Sequence, residues 1–312
     1  MRAIGQDELG GPEVLKEIST VRPEPGPSEV LVRVKAAGLN PTDWVHRSNP
    51  GFLGDGPRRR VLGWELSGVV EEVGTGVTLH RVGDEVFGML PYPHGHGALA
   101  EYAKSPARAL VRKPEVLDHT QAAAVPLAAL TAWQALVDTA DVQPGQRVLV
   151  HAAAGGVGHF AVQIAKARGA YVIGTASAGK HDLLRELGAD ELIDYRSTEF
   201  EKVTGDIDVV LDAIGRDYVP RSFDVLKKGG IVVSIALRYA GSFGEQAAER
   251  GVRHELMLVE ADQQGMKEIA DLIRAGSLRP VVEEVFPFTE AAKAHERGES
   301  GRVTGKLVVT VP

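Results

Sequence analysis

The feature that most constrains this chain is the run Val148 to Gly158, VLVHAAAGGVG, followed by HFAVQIAKARGA and then YVIGT. A β-prone stretch, a turn of small residues, an amphipathic helical stretch and a second β-prone stretch stand there in succession. Two parallel strands need a long crossover, usually a helix, so this order predicts a βαβ unit. Gly155, Gly156 and Gly158 let the backbone turn sharply and let a pyrophosphate approach the N-terminus of the following helix, where N–H groups and the helix dipole favour negative charge. The register is AxxGxxG, with Ala152 in the first place and Val157 between the last two glycines; a small residue fits that turn.

In such a unit an acidic side chain near the end of the second strand holds the ribose 2′-hydroxyl of NAD. Here the corresponding run is Gly174-Thr175-Ala176-Ser177-Ala178-Gly179-Lys180. A hydroxyl, Ser177, and an ammonium, Lys180, stand where a 2′-phosphate would otherwise meet a carboxylate. The expected cofactor is therefore NADPH rather than NADH. The plain alternative for Lys180 is an exposed residue in the first turn of a helix.

Around this unit the pattern predicts two domains, which a chain of 312 residues readily accommodates. The first hundred or so residues alternate short β-prone runs with Gly and Pro turns: Glu29 to Ala36, Ser67 to Val73, Asp84 to Met89 and Ala107 to Arg112. They suggest a small antiparallel barrel or sandwich. Asp118 to Ala140 reads as helix broken by Pro126. Six β-like runs follow, Arg147 to Ala152, Tyr171 to Thr175, Glu191 to Asp194, Ile207 to Asp212, Ile231 to Ala236 and Glu255 to Val259, most of them alternating with helical segments. That alternation implies a doubly wound parallel sheet. The strand-like Val281 to Phe286 and Lys306 to Val311, with a short helix at Glu290 to Glu296, are expected to complete the N-terminal β domain. The expected limits are 1–120 and 266–312 for the split β domain and 121–265 for the inserted α/β domain.

Composition narrows the chemistry. A net charge of −7 argues against a nucleic-acid binder, which needs a basic surface; the one basic cluster, Arg58 to Arg60, reads as a solvated loop. The absence of cysteine removes disulfides, thiol nucleophiles, thiolate zinc sites and iron–sulfur clusters. No apolar run approaches the roughly 20 residues of a membrane span. The opening MRAIGQDELGG is interrupted by Asp7 and Glu8, so the expected location is cytoplasmic, away from membranes. His94 and His96 lie on a Gly-rich loop without an evident third ligand and read as loop residues.

The sequence resembles the zinc-independent quinone oxidoreductase branch of the medium-chain dehydrogenase/reductase superfamily over nearly its whole length. The resemblance rests on Gly38-Leu39-Asn40-Pro41-Thr42-Asp43, Val82 to Gly88 (VGDEVFG), Leu130-Thr131-Ala132, Ala152 to Gly158, Leu187 to Asp190 (LGAD), Ile193-Asp194-Tyr195 and Gly305-Lys306. It implies a split GroES-like β domain, an inserted Rossmann domain and a homodimer. Carried over residue by residue, it places Tyr195 with Ser177 and Lys180 at the adenosine phosphate and Thr131 near the nicotinamide. It places Ser234, Ile235 and Ala236 along the nicotinamide pocket, and Arg302 at the cofactor from the C-terminal segment. Zinc-using members have a cysteine near the Asn40 position and a histidine before the glutamate of Gly-His-Glu; here the runs are Gly38-Leu39-Asn40 and Gly63-Trp64-Glu65.

The implied activity is metal-free, NADPH-dependent hydride transfer to a quinone or other conjugated carbonyl. Asn40, Asp43 and Thr131 are candidates for catalysis, and Asn40, Trp44, Phe52, Trp64, Tyr92 and Arg238 for the substrate pocket. Asp43 and Glu65 also have plain structural roles available. Two alternatives share the cofactor site: an enoyl-thioester reductase, with Arg58 to Arg60 meeting the thioester's charged arm, and a non-catalytic NADPH-binding protein.

Overall fold

A computed structural model describes residues 1–50, 60–94, 97–236 and 243–312, the side chain of Arg60 apart. In chain order the elements are β1 Arg2–Gln6, β2 Lys16–Ser19, β3 Glu29–Leu39, α1 Pro41–Ser48, β4 Arg60–Val61, β5 Glu65–Val73, β6 Glu85–Met89, β7 Tyr102–Pro106, β8 Leu110–Arg112, α2 His119–Ala123 and α3 Pro126–Trp133. There follow β9 Arg147–Val150, α4 Gly158–Ala167, β10 Tyr171–Ala176, α5 His181–Glu186, β11 Glu191–Asp194, β12 Ile207–Asp212, α6 Tyr218–Phe223, β13 Leu226–Ser234, α7 Gly244–Glu249 and β14 Arg253–Leu256. The last are α8 Gln263–Arg274, β15 Val282–Pro287, α9 Ala291–Glu299 and β16 Lys306–Thr310. No helix among the described residues is long and apolar enough to cross a membrane.

Packing divides the chain into two compact units. One joins Met1–Leu130 to Glu260–Gly276 and Pro280–Pro312; the other is Thr131–Val259 with Ser277–Arg279. These limits differ from the expected breaks after residues 120 and 265. Ala123 and Ala124, at the end of α2, are buried against Ala36 of β3 and Val308 of β16, which draws the first part of the helical stretch into the β unit. Pro126 breaks that stretch between α2 and α3, since a proline cannot donate the helical N–H bond.

In the β unit the main sheet runs β15-β16-β3-β5-β6-β8. The long strand β3 organises it. Along one side β3 pairs with β5; along the other, Glu29–Arg33 pair with β7 and Ala36–Leu39 pair with β16. The C-terminal strand thus completes a sheet begun by the N-terminal part of the chain. The second unit is a six-stranded sheet in the order β11-β10-β9-β12-β13-β14, with every pair parallel. Its core joins Leu149, Ile173, Val210 and Val232 from the strands to Phe200, Val219 and Phe223 from the connections. Strands β9 and β12 are neighbours although β10 and β11 intervene in sequence. The order therefore reverses at β9, and the carboxyl ends flanking such a reversal are where this fold class binds ligands.

One ion pair is buried in the β unit. Lys306, at the start of β16, is 2% exposed and Glu65, at the start of β5, is 0% exposed. The Lys306 ammonium donates to Glu65 Oε1 at 2.8 Å, to the Leu39 carbonyl at 2.8 Å and to Asn40 Oδ1 at 2.5 Å. All three of its hydrogens have acceptors. Glu65 also accepts from Asn40 Nδ2 at 2.7 Å and from the Leu127 backbone N–H at 2.7 Å. Gly38 makes room for the carboxylate, because a Cβ there would lie 2.4 Å from Glu65 Oε1 and 2.4 Å from the Ala123 carbonyl.

Lys306→Met strands a buried carboxylate, an error that costs about 3–5 kcal/mol. Urea unfolding followed by tryptophan fluorescence is expected to show that loss. Glu65→Leu/Lys306→Met, which removes both charges, is expected to regain most of it.

Candidate functional site

In the α/β unit the Gly-rich run forms a tight turn between β9 and α4. Gly155 N–H donates to the Ala152 carbonyl at 2.9 Å, and His159 and Ala161 N–H donate back into the turn. A Cβ on Gly158 would sit 2.3 Å from the Ala152 carbonyl, so only glycine closes it. Gly156, Val157 and Gly158 N–H donate to no backbone acceptor among the described residues. They stand at the start of the 10-residue helix α4. Three such groups at a helix N-terminus suit the pyrophosphate of a dinucleotide. Ala152 fits the first place of the motif in a left-handed conformation, φ 51°, which costs a non-glycine residue about 1–2 kcal/mol.

A hydrogen-bond chain, not anticipated from sequence, holds Ala152 there. Ser222 Oγ donates to the Tyr218 carbonyl at 2.6 Å, so at 3.1 Å it accepts from His151 Nε2. His151 Nδ1 then accepts from Thr175 Oγ1 at 3.2 Å, and Thr175 Oγ1 accepts from the Ala152 N–H at 3.3 Å. Burial, and next the Arg221 charge, push the His151 pKa down to about 3. The ring is neutral near pH 7, as its place between one donor and one acceptor requires.

Several other cofactor candidates of this unit stand at the carboxyl ends of its strands. Ala176 and Asp194 are register partners at the ends of β10 and β11, so Ser177 and Tyr195 are the first residues beyond two neighbouring strands. Lys180 is half-buried and directly precedes α5. Arg196, absent from the sequence expectations, lies with its guanidinium 5.9 Å from the Tyr195 ring centre. Ser234 ends β13, but its hydroxyl is engaged internally, donating to Asp212 Oδ2 at 2.8 Å and lying 3.1 Å from His254 Nε2. Ile235 and Ala236 follow it, half-buried. Thr131 is buried within α3. Arg302 belongs to the β unit and is exposed.

In the β unit the structure gathers Asn40, Asp43, Trp64 and Tyr92 and sets Trp44 apart. Asn40 precedes α1 and Asp43 is its third residue; Asp43 Oδ2 accepts the Asn40 N–H at 2.8 Å. Asn, Pro and Asp at these positions are a legible helix-start signal. The Asn40 amide is turned to Lys306 and Glu65, which orients it fully. Trp64 is fully buried, its ring 4.9 Å from His46 and 5.6 Å from Tyr92. Trp44, expected to line a pocket, instead packs on α9: a Cβ on Gly298 would touch its ring at 2.6 Å, and His295 lies edge-on at 6.3 Å. Phe52, Arg58, Arg59, His96 and Arg238 lie outside the described residues. Among those described, no three His, Cys, Asp or Glu side chains are grouped to hold a metal ion.

Comparison with known proteins gives the lineage. The alcohol dehydrogenase GroES-like domain family matches residues 26–115, and the zinc-binding dehydrogenase family matches residues 187–309. The NADPH-dependent alkenal/one oxidoreductase of Arabidopsis thaliana, a chloroplastic protein, is 37% identical over 319 aligned positions, covering 99% of this chain and 79% of the relative. The quinone oxidoreductase structure from Coxiella burnetii superposes with a TM-score of 0.93 at 37% identity, covering 100% of this chain and 99% of that one. The chain belongs to the medium-chain dehydrogenase/reductase superfamily. It is an NAD(P)H-dependent oxidoreductase, and the Escherichia coli quinone oxidoreductase solved with NADPH matches it at TM-score 0.90 and 30% identity over the whole of both chains. One matching family is described as zinc-binding; by the resemblance drawn from the sequence, zinc-using members carry a cysteine near the Asn40 position and a histidine at the Trp64 position. The neighbouring Glu65 carries the Lys306 ammonium.

Asp43 is fully buried, and burial pushes its pKa from 3.8 to about 7 against the opposing Asn40 N–H bond and Lys306 charge; Glu65 adds a smaller upward push. A carboxyl whose folded pKa is raised contributes stability that is lost as pH climbs from its unfolded pKa through its folded one. Asp43→Asn mimics the neutral acid. Its stability in urea unfolding, minus that of the wild type, is expected to rise between about pH 4 and pH 7 and to level off above, by on the order of 4 kcal/mol. A difference independent of pH would contradict the assignment.

Proposed function

We propose that this oxidoreductase uses NADPH to reduce quinones and α,β-unsaturated carbonyl compounds without a metal ion. The observation that carries the reading is the content of the two ligand positions: an amide and an indole, Asn40 and Trp64, beside a glutamate already paired with Lys306. Reduction of a simple ketone leaves a strongly basic alkoxide, for which a Lewis acid is the usual help. Reduction of a quinone leaves a phenolate-like anion whose conjugate acid has a pKa of about 10, and an enone leaves a delocalised enolate; both need less stabilisation. The names of the relatives, alkenal/one and quinone oxidoreductases, support the same acceptors.

Within the nucleotide site, the amide groups of Gly156 to Gly158 would hold the pyrophosphate. Ser177, Lys180 and Tyr195 would take the 2′-phosphate, since no carboxylate stands at the end of β10. The bound dinucleotide supplies the hydride. Thr131, Ser234 to Ala236 and Arg302 complete the cofactor contacts in this reading, and a homodimer belongs to it through the family resemblance. We place the enzyme in the cytoplasm, a setting the fold does not specify, as the chloroplastic relative illustrates. The enoyl-thioester alternative leaned on Arg58 to Arg60, whose side chains lie outside the described residues.

The test is NADPH oxidation against a panel of quinones, enones and simple aldehydes, before and after exhaustive chelation. Quinones and enones are expected to turn over and to survive chelation, with simple aldehydes inert. Lys180→Ala is expected to weaken NADPH binding by about 1.5–3 kcal/mol, the worth of a charge-assisted contact, and to leave NADH binding nearly unchanged. Equal affinity of the unmodified enzyme for the two cofactors would contradict the NADPH assignment.

A further inference from the structure

In a dinucleotide-binding turn the first glycine makes the tight bend, because glycine takes positive φ without steric cost. This chain carries Ala152 there and still holds it at φ 51°. The bend closes the turn: the Ala152 carbonyl accepts the Gly155 N–H at 2.9 Å, and a Cβ on Gly158 would come within 2.3 Å of that oxygen. An alanine left to itself prefers negative φ, so another part of the unit must supply what glycine supplies elsewhere.

Thr175, on the neighbouring strand β10, holds the bend at two points. Its hydroxyl accepts the Ala152 N–H at 3.3 Å, and its carbonyl accepts the Ala153 N–H at 3.0 Å. The hydroxyl keeps that place because its own hydrogen goes to His151 Nδ1, at 3.2 Å. His151 is held in turn by Ser222 Oγ at 3.1 Å and by two rings that meet it edge-on, Phe200 at 4.6 Å and Tyr218 at 5.0 Å. Thr175 is 1% exposed and His151 and Ser222 are 0% exposed, so bulk water does not compete for these bonds. We propose that the chain Thr175, His151, Ser222 takes the place of the missing glycine. It sets Ala152 in the left-handed form before the cofactor arrives, so that NADPH affinity depends on the chain only while residue 152 has a side chain. Thr175 and His151 are thus positioning residues that act on the cofactor through the turn. This rests on the assignment of the Gly156 to Gly158 amides to the pyrophosphate.

The size of the effect follows from the cost of the bend. Without the chain, most molecules relax away from the left-handed form, and apparent affinity falls with the fraction that remains competent to bind. The left-handed penalty of one non-glycine residue corresponds to about 5–30-fold in affinity. A glycine at position 152 carries no such penalty, so loss of the chain then leaves affinity nearly unchanged.

The experiment measures NADPH binding by calorimetric titration, and melting of the cofactor-free protein, for the full-length wild type, Ala152→Gly, Thr175→Val, Thr175→Ser and the double variant Ala152→Gly/Thr175→Val. Thr175→Val is expected to raise the NADPH Kd about 5–30-fold and to lower the melting temperature. Thr175→Ser keeps the hydroxyl and is expected to stay close to wild type. In the double variant the Kd is expected to return to that of Ala152→Gly, while the melting temperature stays low because His151 Nδ1 still lacks its donor. A merely structural role for Thr175 would move affinity and stability together. Should Thr175→Val not fold, Ser222→Ala carries the same comparison: it frees His151 to hold its proton on Nδ1 and to compete with the Ala152 N–H for the Thr175 oxygen. An unchanged Kd in the chain variant, or the same loss of affinity with alanine and with glycine at 152, an additive cycle, would overturn the proposal while the function stood. Gly156→Val is the control for the turn itself: wild-type NADPH affinity in that variant would remove the pyrophosphate assignment on which the proposal stands.

Discussion

The buried bond between Lys306 and Glu65 is the interaction on which the β unit depends. It joins residues 241 positions apart and, through Asn40 and the Leu127 N–H, ties in the approach to α1 and the start of α3. A buried ion pair is not stabilising by default, because desolvating two charges offsets most of their attraction. Here every hydrogen of the ammonium and both oxygens of the carboxylate have partners, so what the pair supplies is a single permitted arrangement. Strand β16 can dock on β3 in one register, and α1 can start in one place. The faces of α1 then follow: His46 toward Trp64, and Trp44 toward Gly298 and His295 of α9.

The α/β unit uses neutral groups for the same purpose. From the Ala152 N–H through Thr175, His151 and Ser222, each group donates to the next, and the Tyr218 carbonyl accepts the last bond. Protonating His151 would place two donors on its ring and reverse one link of that chain. Its low pKa is thus a condition for the shape of the nucleotide turn.

Much of this was legible in the sequence, for physical reasons that also explain the remainder. The nucleotide turn depends on local geometry, so its glycines, its helix and its two strands stand within one stretch of sequence. The return of β16 to the first sheet was expected from the strand-like run Lys306 to Val311 that follows the α/β stretch. Lys306 was recognised as part of a Gly-Lys match and not as a buried partner. A lysine at a strand start ordinarily reaches solvent, and nothing local announces acceptors on Leu39, Asn40 and Glu65. Asn40 and Asp43 were weighed as catalytic groups, although their spacing around Pro41 is that of a helix start. His151, between two β-prone segments, gave no sign of its partners Thr175 and Ser222, which lie 24 and 71 residues away. Trp44 was assigned to a pocket on residue type, whereas helical phase turns it to Gly298.

In the function proposed above, hydride passes directly to the carbon end of a conjugated system, without a Lewis acid at the oxygen end. The most direct test follows the hydrogen itself. An enone is reduced with NADPH carrying deuterium at the transferable C4 position, and the product is examined by NMR. The expected product is a saturated ketone with one deuterium on the β-carbon and a solvent-derived proton on the α-carbon. Deuterium on the carbonyl carbon of an allylic alcohol, or none in the product, would contradict the account.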